Sequence, residues 1–97
     1  MITIEKYGND KIVLHGHTLP DVCAACSSIM YTAINFIDRY DKDASEFIDD
    51  TEKDIVTIII KKHDETIDMI LDTMFDMFND LRETDNQDKI QIKNMEL

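Results

Sequence analysis

The 97-residue sequence has no long apolar run, and it contains only two cysteines. A helix that crosses a membrane needs about 20 consecutive apolar residues, so we expect no membrane association. Residues 1–6 alternate like a strand and lack the basic start and apolar block of a secretion signal. With two cysteines and no export signal, we expect a cytoplasmic protein. A length of 97 residues predicts one domain over residues 1–97, and the sequence has no internal repeats and no low-complexity linkers.

Basic residues are also scarce: 10 Lys and Arg face 21 Asp and Glu, which gives a net charge of −11. This excess argues against direct nucleic-acid binding, because phosphate must be neutralised by cations. It would attract a basic protein partner or substrate over long range. The alternative is that the acidic surface only keeps a small protein soluble. A hydrophobic content of 43% with 32% charged residues predicts a globular chain.

Hydrophobic periodicity predicts five strands and two helices. The strands are expected at 1–7, 11–17, 55–61 and 89–93, with a further short edge strand at 45–48. The helices are expected from about 21 to 40 and from 64 to 82. The order β-β-α-(β)-β-α-β predicts an α+β fold in which two helices pack on one face of a small, mostly antiparallel sheet. Four helical methionines are predicted to fill the core, and the alternative is a Met-lined ligand groove: Met30, Met69, Met74 and Met77.

Residues 15–27 contain two of the three histidines and both cysteines of the chain. Strand alternation places Val13, His15 and His17 on one face, with Gly16 between the histidines where another group approaches the backbone. Cys23 follows in the first turns of the predicted helix. A helix N-terminus lowers the pKa of a thiol, and a histidine across a tight turn can act as its base.

The start of this helix allows two caps. Thr18 and Asp21 fit the capping-box spacing, in which the two side chains satisfy the free N–H groups reciprocally. Alternatively, Asp21 itself caps the helix after Pro20. Either arrangement places Cys23 within the first two turns.

The residues alone leave three interpretations open. Cys23 and His17 can form a nucleophile and base. His15 and His17 with Cys23 and Cys26 supply the ligand types of a zinc site, although Cys26 lies on the apolar stripe of the helix. All four can also be structural, with buried thiols and exposed histidines.

Gly16-His17 followed by Asp-Val-Cys-Ala-Ala-Cys-Ser at 21–27 resembles the signature of the ribosomal-processing cysteine protease family (Prp). The similarity of architecture extends over nearly the whole chain. The resemblance implies that Cys23 is the nucleophile and His17 the general base. Ser27, Asp21 and Gly16 would support the site or the substrate. It implies no metal and no organic cofactor.

The resemblance also implies a function. Members of the family remove an N-terminal extension from a ribosomal protein, phage-borne relatives are expected to process virion proteins, and members are typically homodimers. We therefore expect an endopeptidase acting on a basic protein substrate. The alternatives are a catalytically silent dimeric binding module for a basic partner and an acidic mimic of nucleic acid.

Two spacings depart from the family pattern. The family has a longer loop between the histidine and the cysteine, whereas residues 18–22 alone separate them here. The aspartate lies two residues before Cys23, not three. No residue can be assigned to orient His17, and Asp21 and Asp10 are the sequence candidates.

Overall fold

The computed structural model describes residues 1–95, which form five strands and two helices. In chain order these are β1 (Ile2–Tyr7), β2 (Lys11–Gly16), α1 (Pro20–Tyr40), β3 (Ser45–Asp50), β4 (Ile55–Ile60), α2 (Glu65–Glu83) and β5 (Ile90–Asn94). The predicted α+β class and the element order are confirmed. Within the described residues, neither helix is long and apolar enough to span a membrane.

The strands form one open sheet in the order β3-β4-β2-β1-β5. β1 and β2 form an antiparallel hairpin, and β4 pairs antiparallel with both β2 and β3. Among the strands of residues 1–95, only β5 runs parallel to its neighbour, β1. The apolar strand β4 therefore lies inside the sheet, as its nearly continuous β-branched sequence predicts.

Both helices cover the same face of the sheet. Alternate strand residues point towards them, so each strand buries one row of side chains under the helices. The stripe predicted along α1 is buried at Val22, Cys26, Met30, Ala33 and Ile37. The largest fully buried side chains form the centre of this core: Phe78, Ile2, Ile4, Ile12, Met30, Ile37, Ile58, Ile67, Leu71, Met74 and Ile90.

Two of the four methionine predictions are wrong. Met30 and Met74 are buried, but Met69 is 62% exposed and Met77 is 46% exposed. Both exposed residues lie on the outer side of α2, away from the sheet. There they border a groove between α2 and α1. Apolar character alone could not distinguish the buried row from this outer row.

The start of α1 also differs from the prediction. The helix begins at Pro20, its N-cap residue is Leu19, and no side chain caps it. Asp21 is therefore in the first turn, where its Oδ1 accepts the N–H of Val22 at 3.0 Å. Pro20 explains the shift, because proline fits the first helical position and needs no partner for an N–H.

Strand boundaries differ where turns follow them. β3 continues to Asp50, two residues past the predicted end, because its main chain pairs with β4 through Ile55. β2 ends at Gly16, so His17 lies beyond the strand and does not share a face with Val13 and His15 as predicted.

Candidate active site

A cleft of about 220 Å³ opens between the start of α1, the end of β2 and the turn that joins β3 to β4. It brings together the side chains of His17, Cys23 and Ser27 with the backbone of Gly16. Asp21, the remaining predicted residue, does not border this cleft.

Gly16 makes the sharp exit from β2 possible. Its φ is +96°, in the region that favours glycine. An added Cβ would also collide with the carbonyl oxygen of Met1. The Met1 ammonium in turn donates to the carbonyl oxygen of His17. The predicted close approach at Gly16 is thus the N-terminus of the chain, and the turn redirects His17 out of the strand and towards α1.

Cys23 is half-buried in the first turn of α1 and packs against the edge of the core. Its Sγ lies 3.4 Å from the backbone N of Thr18 and 3.5 Å from the carbonyl oxygen of Thr18. The N–H of Cys23 donates to the carbonyl oxygen of Leu19 at 3.0 Å. The thiol therefore rests against the short connection from His17, and no hydrogen bond among residues 1–95 joins it to the His17 ring.

Asp54 is a member of the site that the sequence did not reveal. Its Oδ2 lies 2.6 Å from Nε2 of His17, and it borders the same cleft. Asp54 has a φ of +54° at the end of the turn between β3 and β4. Aspartate tolerates this left-handed conformation better than most residues. The two side chains are 37 positions apart in the chain, so no local motif could have paired them.

The two aspartates proposed from the sequence to orient His17 lie elsewhere. Asp10 contacts Nε2 of His63 at 2.8 Å, beside the N-terminal end of α2. Asp21 bonds the backbone of its own helix turn. The prediction that Asp10 or Asp21 orients His17 is therefore wrong, because the carboxylate that contacts His17 comes from the turn between β3 and β4, 37 positions away in the chain.

Tyr31 and Asp49 form the far wall of the cleft. The hydroxyl of Tyr31 donates to Oδ2 of Asp49 at 2.7 Å, and this hydrogen bond to the carboxylate raises the pKa of Tyr31. The Tyr31 ring meets that of Phe47 edge to face, with centroids 5.4 Å apart. The carboxylate of Asp49, on β3, is therefore held by Tyr31 in the wall of the cleft that Cys23 also borders.

The four predicted zinc ligands do not converge. Cys26 is fully buried in the core, and burial, with a smaller contribution from Cys23, raises its pKa to about 11. His15 lies on the sheet face opposite the helices, with Nε2 3.7 Å from Oε1 of Glu5. Within the part of the chain that the structure describes, no group of three His, Cys, Asp or Glu side chains is arranged to hold a metal ion.

Solved structures share this fold over nearly the whole chain, although the sequence matches no protein-family model and no curated protein. The ribosomal processing protease Prp from Staphylococcus aureus, covalently linked to a product peptide, matches with a TM-score of 0.87 at 19% identity. The match covers 98% of this chain and all of that one. The chain has the fold of Prp. The same protease in complex with a substrate peptide matches equally well at 17% identity.

Two further structures share the fold at 16% identity. A hypothetical protein from Staphylococcus aureus matches with a TM-score of 0.78, covering 98% of this chain and all of that one. A protein from Streptococcus mutans matches with a TM-score of 0.75, covering 99% of this chain and 93% of the other. At this level of identity the likeness to Prp establishes the fold alone.

Proposed function

We propose that the protein is a Prp-like cysteine endopeptidase, with Cys23 as nucleophile and His17 as general base. The observation that carries this proposal is the cleft, whose lining includes both Cys23 and the imidazole of His17, with Nε2 of His17 in contact with Asp54. A nucleophile, a base and a group that orients the base are the parts that thiol peptidases require.

The geometry supports a defined proton path. With the Nε2 proton donated to Asp54, Nδ1 of His17 is the basic nitrogen and takes the thiol proton. The sulfur attacks a peptide carbonyl carbon and forms a tetrahedral intermediate. When the C–N bond breaks, His17 returns the proton to the leaving amine, and water then hydrolyses the thioester by the same base. For the first step the thiol has to turn from Thr18 towards His17.

The backbone next to Cys23 offers a donor for the developing oxyanion. The N–H of Thr18 already lies 3.4 Å from the sulfur. The N–H groups of Val22 and Cys23 at the helix start are engaged by Asp21 and Leu19. Thr18 is therefore the donor that an oxyanion bound to Cys23 would reach with least rearrangement.

The charge of the site supports a basic protein substrate. Asp49 and Asp54 border the cleft, and the net charge of −11 extends the attraction beyond it. By the resemblance to Prp, the substrate would be a ribosomal or virion protein with a removable N-terminal extension. By the same resemblance, we propose that this protein acts in the cytoplasm and is a homodimer.

Cleavage of peptides tests the proposal. Synthetic peptides covering the N-terminal 30 or so residues of ribosomal and virion proteins are incubated with the protein, and products are identified by mass spectrometry. Cys23→Ala should abolish any cleavage, whereas Cys26→Ala, which removes the buried thiol, should leave it in place. Cleavage that survives Cys23→Ala, or no cleavage of any peptide, would contradict the proposal.

One observation favours a second candidate, a catalytically silent binding module. The sulfur of Cys23 is bonded to the backbone of Thr18 and not to His17. In that case the wild-type protein and Cys23→Ala should bind the same basic peptide with equal affinity, and the peptide should remain intact.

A further inference from the structure

A second cleft lies on the other side of α1, away from Cys23. It is an apolar groove of about 320 Å³ between the two helices. Its walls include Ile29 and Phe36 of α1 and Met69, Ile70 and Met77 of α2. We refer to it below as the Met groove. On α1 it uses a different row of residues from the catalytic cleft, which takes Cys23, Ser27 and Tyr31.

The Met groove exposes large apolar side chains. Phe36 is 62% exposed, as is Met69. Single exposed apolar residues are ordinary on a protein surface, but a contiguous set that forms a groove marks an interaction site. Methionine is suited to such a surface, because its flexible thioether adapts to the partner's shape.

A row of carboxylates runs along the groove's outer wall. Met69, Thr73 and Met77 form one row of α2 at four-residue spacing. Asp72, Asp76 and Asp80 follow them at three residues' distance, one after each member. Residues three apart are neighbours on a helix surface, so each aspartate lies next to a residue of the groove wall.

These carboxylates are unneutralised. Asp72, Asp76 and Asp80 are exposed, and none takes part in an ion pair with any residue from 1 to 95. Like charges at four-residue spacing weaken a helix. A row of three carboxylates beside an apolar groove therefore favours a partner whose cationic side chains lie opposite these carboxylates.

We propose that the Met groove binds a basic amphipathic helix. Its apolar face, with residues at i, i+3, i+4 and i+7, would lie in the groove between Phe36 and Met77. A row of Lys or Arg at four-residue spacing would face the three aspartates. A second copy of this chain is a poorer occupant of this groove, because an isologous contact here would bring the two copies' aspartate rows together.

The test is a fluorescence anisotropy titration with a labelled 18-residue Leu/Lys peptide designed to form an amphipathic helix. A peptide of the same composition, scrambled to remove the apolar face, is the control for charge alone. The designed peptide should bind at least 10-fold more tightly than the scrambled one at 150 mM salt. Equal binding of the two peptides would overturn the proposal.

Variants locate the binding. Asp72→Asn, Asp76→Asn and Asp80→Asn together should weaken binding at least 10-fold. A matched triple variant, Asp43→Asn, Glu46→Gln and Asp88→Asn, changes the net charge equally on other surfaces and should have a much smaller effect. Met69→Ser with Met77→Ser should also weaken binding. If both triple variants behave alike, binding is general electrostatic attraction and the proposal fails.

Sedimentation of the protein without peptide tests whether the groove instead binds a second copy of this chain. The proposal expects Met69→Ser with Met77→Ser to leave the oligomeric state of the wild-type protein unchanged. If instead the wild-type protein is a dimer that this double variant converts to a monomer, the groove binds a second copy and the proposal is wrong.

Discussion

The bond between Asp54 and His17 is a single contact between two largely solvent-exposed side chains. His17 is 70% exposed and Asp54 is 50% exposed. An ion pair at such exposure contributes little to stability, because water screens it and both side chains lose freedom. The contact has more effect on the orientation of the imidazole, since it selects the nitrogen that carries the proton.

Replacing Asp54 with asparagine tests this positioning role. Asparagine also tolerates the positive φ, so the turn should persist while the carboxylate is lost. We expect the rate constant for peptide cleavage to fall at least 10-fold, with stability in urea nearly unchanged. Asp49→Asn is the matched control, because it removes a carboxylate of the same cleft that bonds Tyr31 instead. Equal losses in both variants would contradict an orienting role for Asp54.

Gly16 offers a second test at the scale of one residue. Gly8 and Gly16 both have positive φ, +54° and +96°, but only Gly16 has a neighbour in the way of a Cβ. A left-handed alanine costs about 1–2 kcal/mol by itself. Gly16→Ala should therefore lower the free energy of unfolding by more than Gly8→Ala, measured by urea titration. Equal losses would show that the approach of Met1 imposes no constraint.

The sequence predicts some members of the site and not others. Gly16, His17 and Cys23 are close in the chain, so a local motif could indicate that they meet. Asp54 and Asp49 come from the other hairpin, and their positions depend on how β4 pairs with β2. Pairing register is set by tertiary packing, which a single sequence does not display.

At the scale of elements, α2 begins at a well-formed cap. Asp64 accepts the N–H of Ile67 at Oδ1 (2.9 Å) and the hydroxyl of Tyr40 at Oδ2 (2.6 Å). The Tyr40 hydroxyl first, and then the backbone N–H groups, hold the pKa of Asp64 below its usual value. The cap therefore joins the last residue of α1 to the first turn of α2.

This cap predicts a pH dependence. Because the pKa of Asp64 is lower in the folded state, its contribution to stability is present above the ordinary aspartate pKa of about 4. It is lost as the pH falls through the lowered folded value. We expect Asp64→Asn to be less stable than the wild-type protein in urea at pH 7, and the difference to shrink below pH ~4.

Tyr40→Phe is the control for this prediction. It removes the largest cause of the lowered pKa but keeps the helix cap, so its pH dependence should lie between those of the wild-type protein and Asp64→Asn. A stability difference between wild-type and Asp64→Asn that is constant from pH 7 to pH ~2.5 would contradict the assignment.

Element types were predictable where hydrophobic periodicity was strong, as in α1, α2 and β4. The first and last residues of the elements were less predictable. Pro20 begins α1 earlier than a side-chain cap would, and β3 extends to Asp50 although it has few apolar residues. Hydrogen bonds to β4 stabilise β3, and such pairing overrides local composition.

At the scale of the whole molecule, one sheet face carries the core and both helices. Leu71 lies at its centre, fully buried. Leu71→Ala should lower the free energy of unfolding by about 2–5 kcal/mol, because it removes apolar contacts and leaves a cavity. Leu19→Ala, at an exposed position, should change it by less than about 0.5 kcal/mol. Similar losses in urea titrations would contradict the described packing.

The α+β architecture follows from the order of the elements, but the strand order does not. Hairpins explain β1 with β2 and β3 with β4. β5 reaches its parallel position beside β1 only after α2, which connects it to β4. The pairing of β4 with β2 brings Asp54 next to His17. These long-range pairings form the cleft that Cys23 and His17 border, and local sequence patterns carry little information about them.

The most direct test of the proposed pair of Cys23 and His17 is the rate at which iodoacetamide alkylates Cys23 at pH ~7. Peptide mapping by mass spectrometry follows Cys23 and Cys26 in the same molecule, and buried Cys26 should react only when the chain unfolds. Cys23 should react roughly 10-fold faster in the wild-type protein than in His17→Ala, whereas His15→Ala, which alters a histidine on the opposite sheet face, should leave the rate unchanged. Equal rates in the wild-type protein and His17→Ala would show that Cys23 and His17 do not act together, and would contradict the proposed peptidase site.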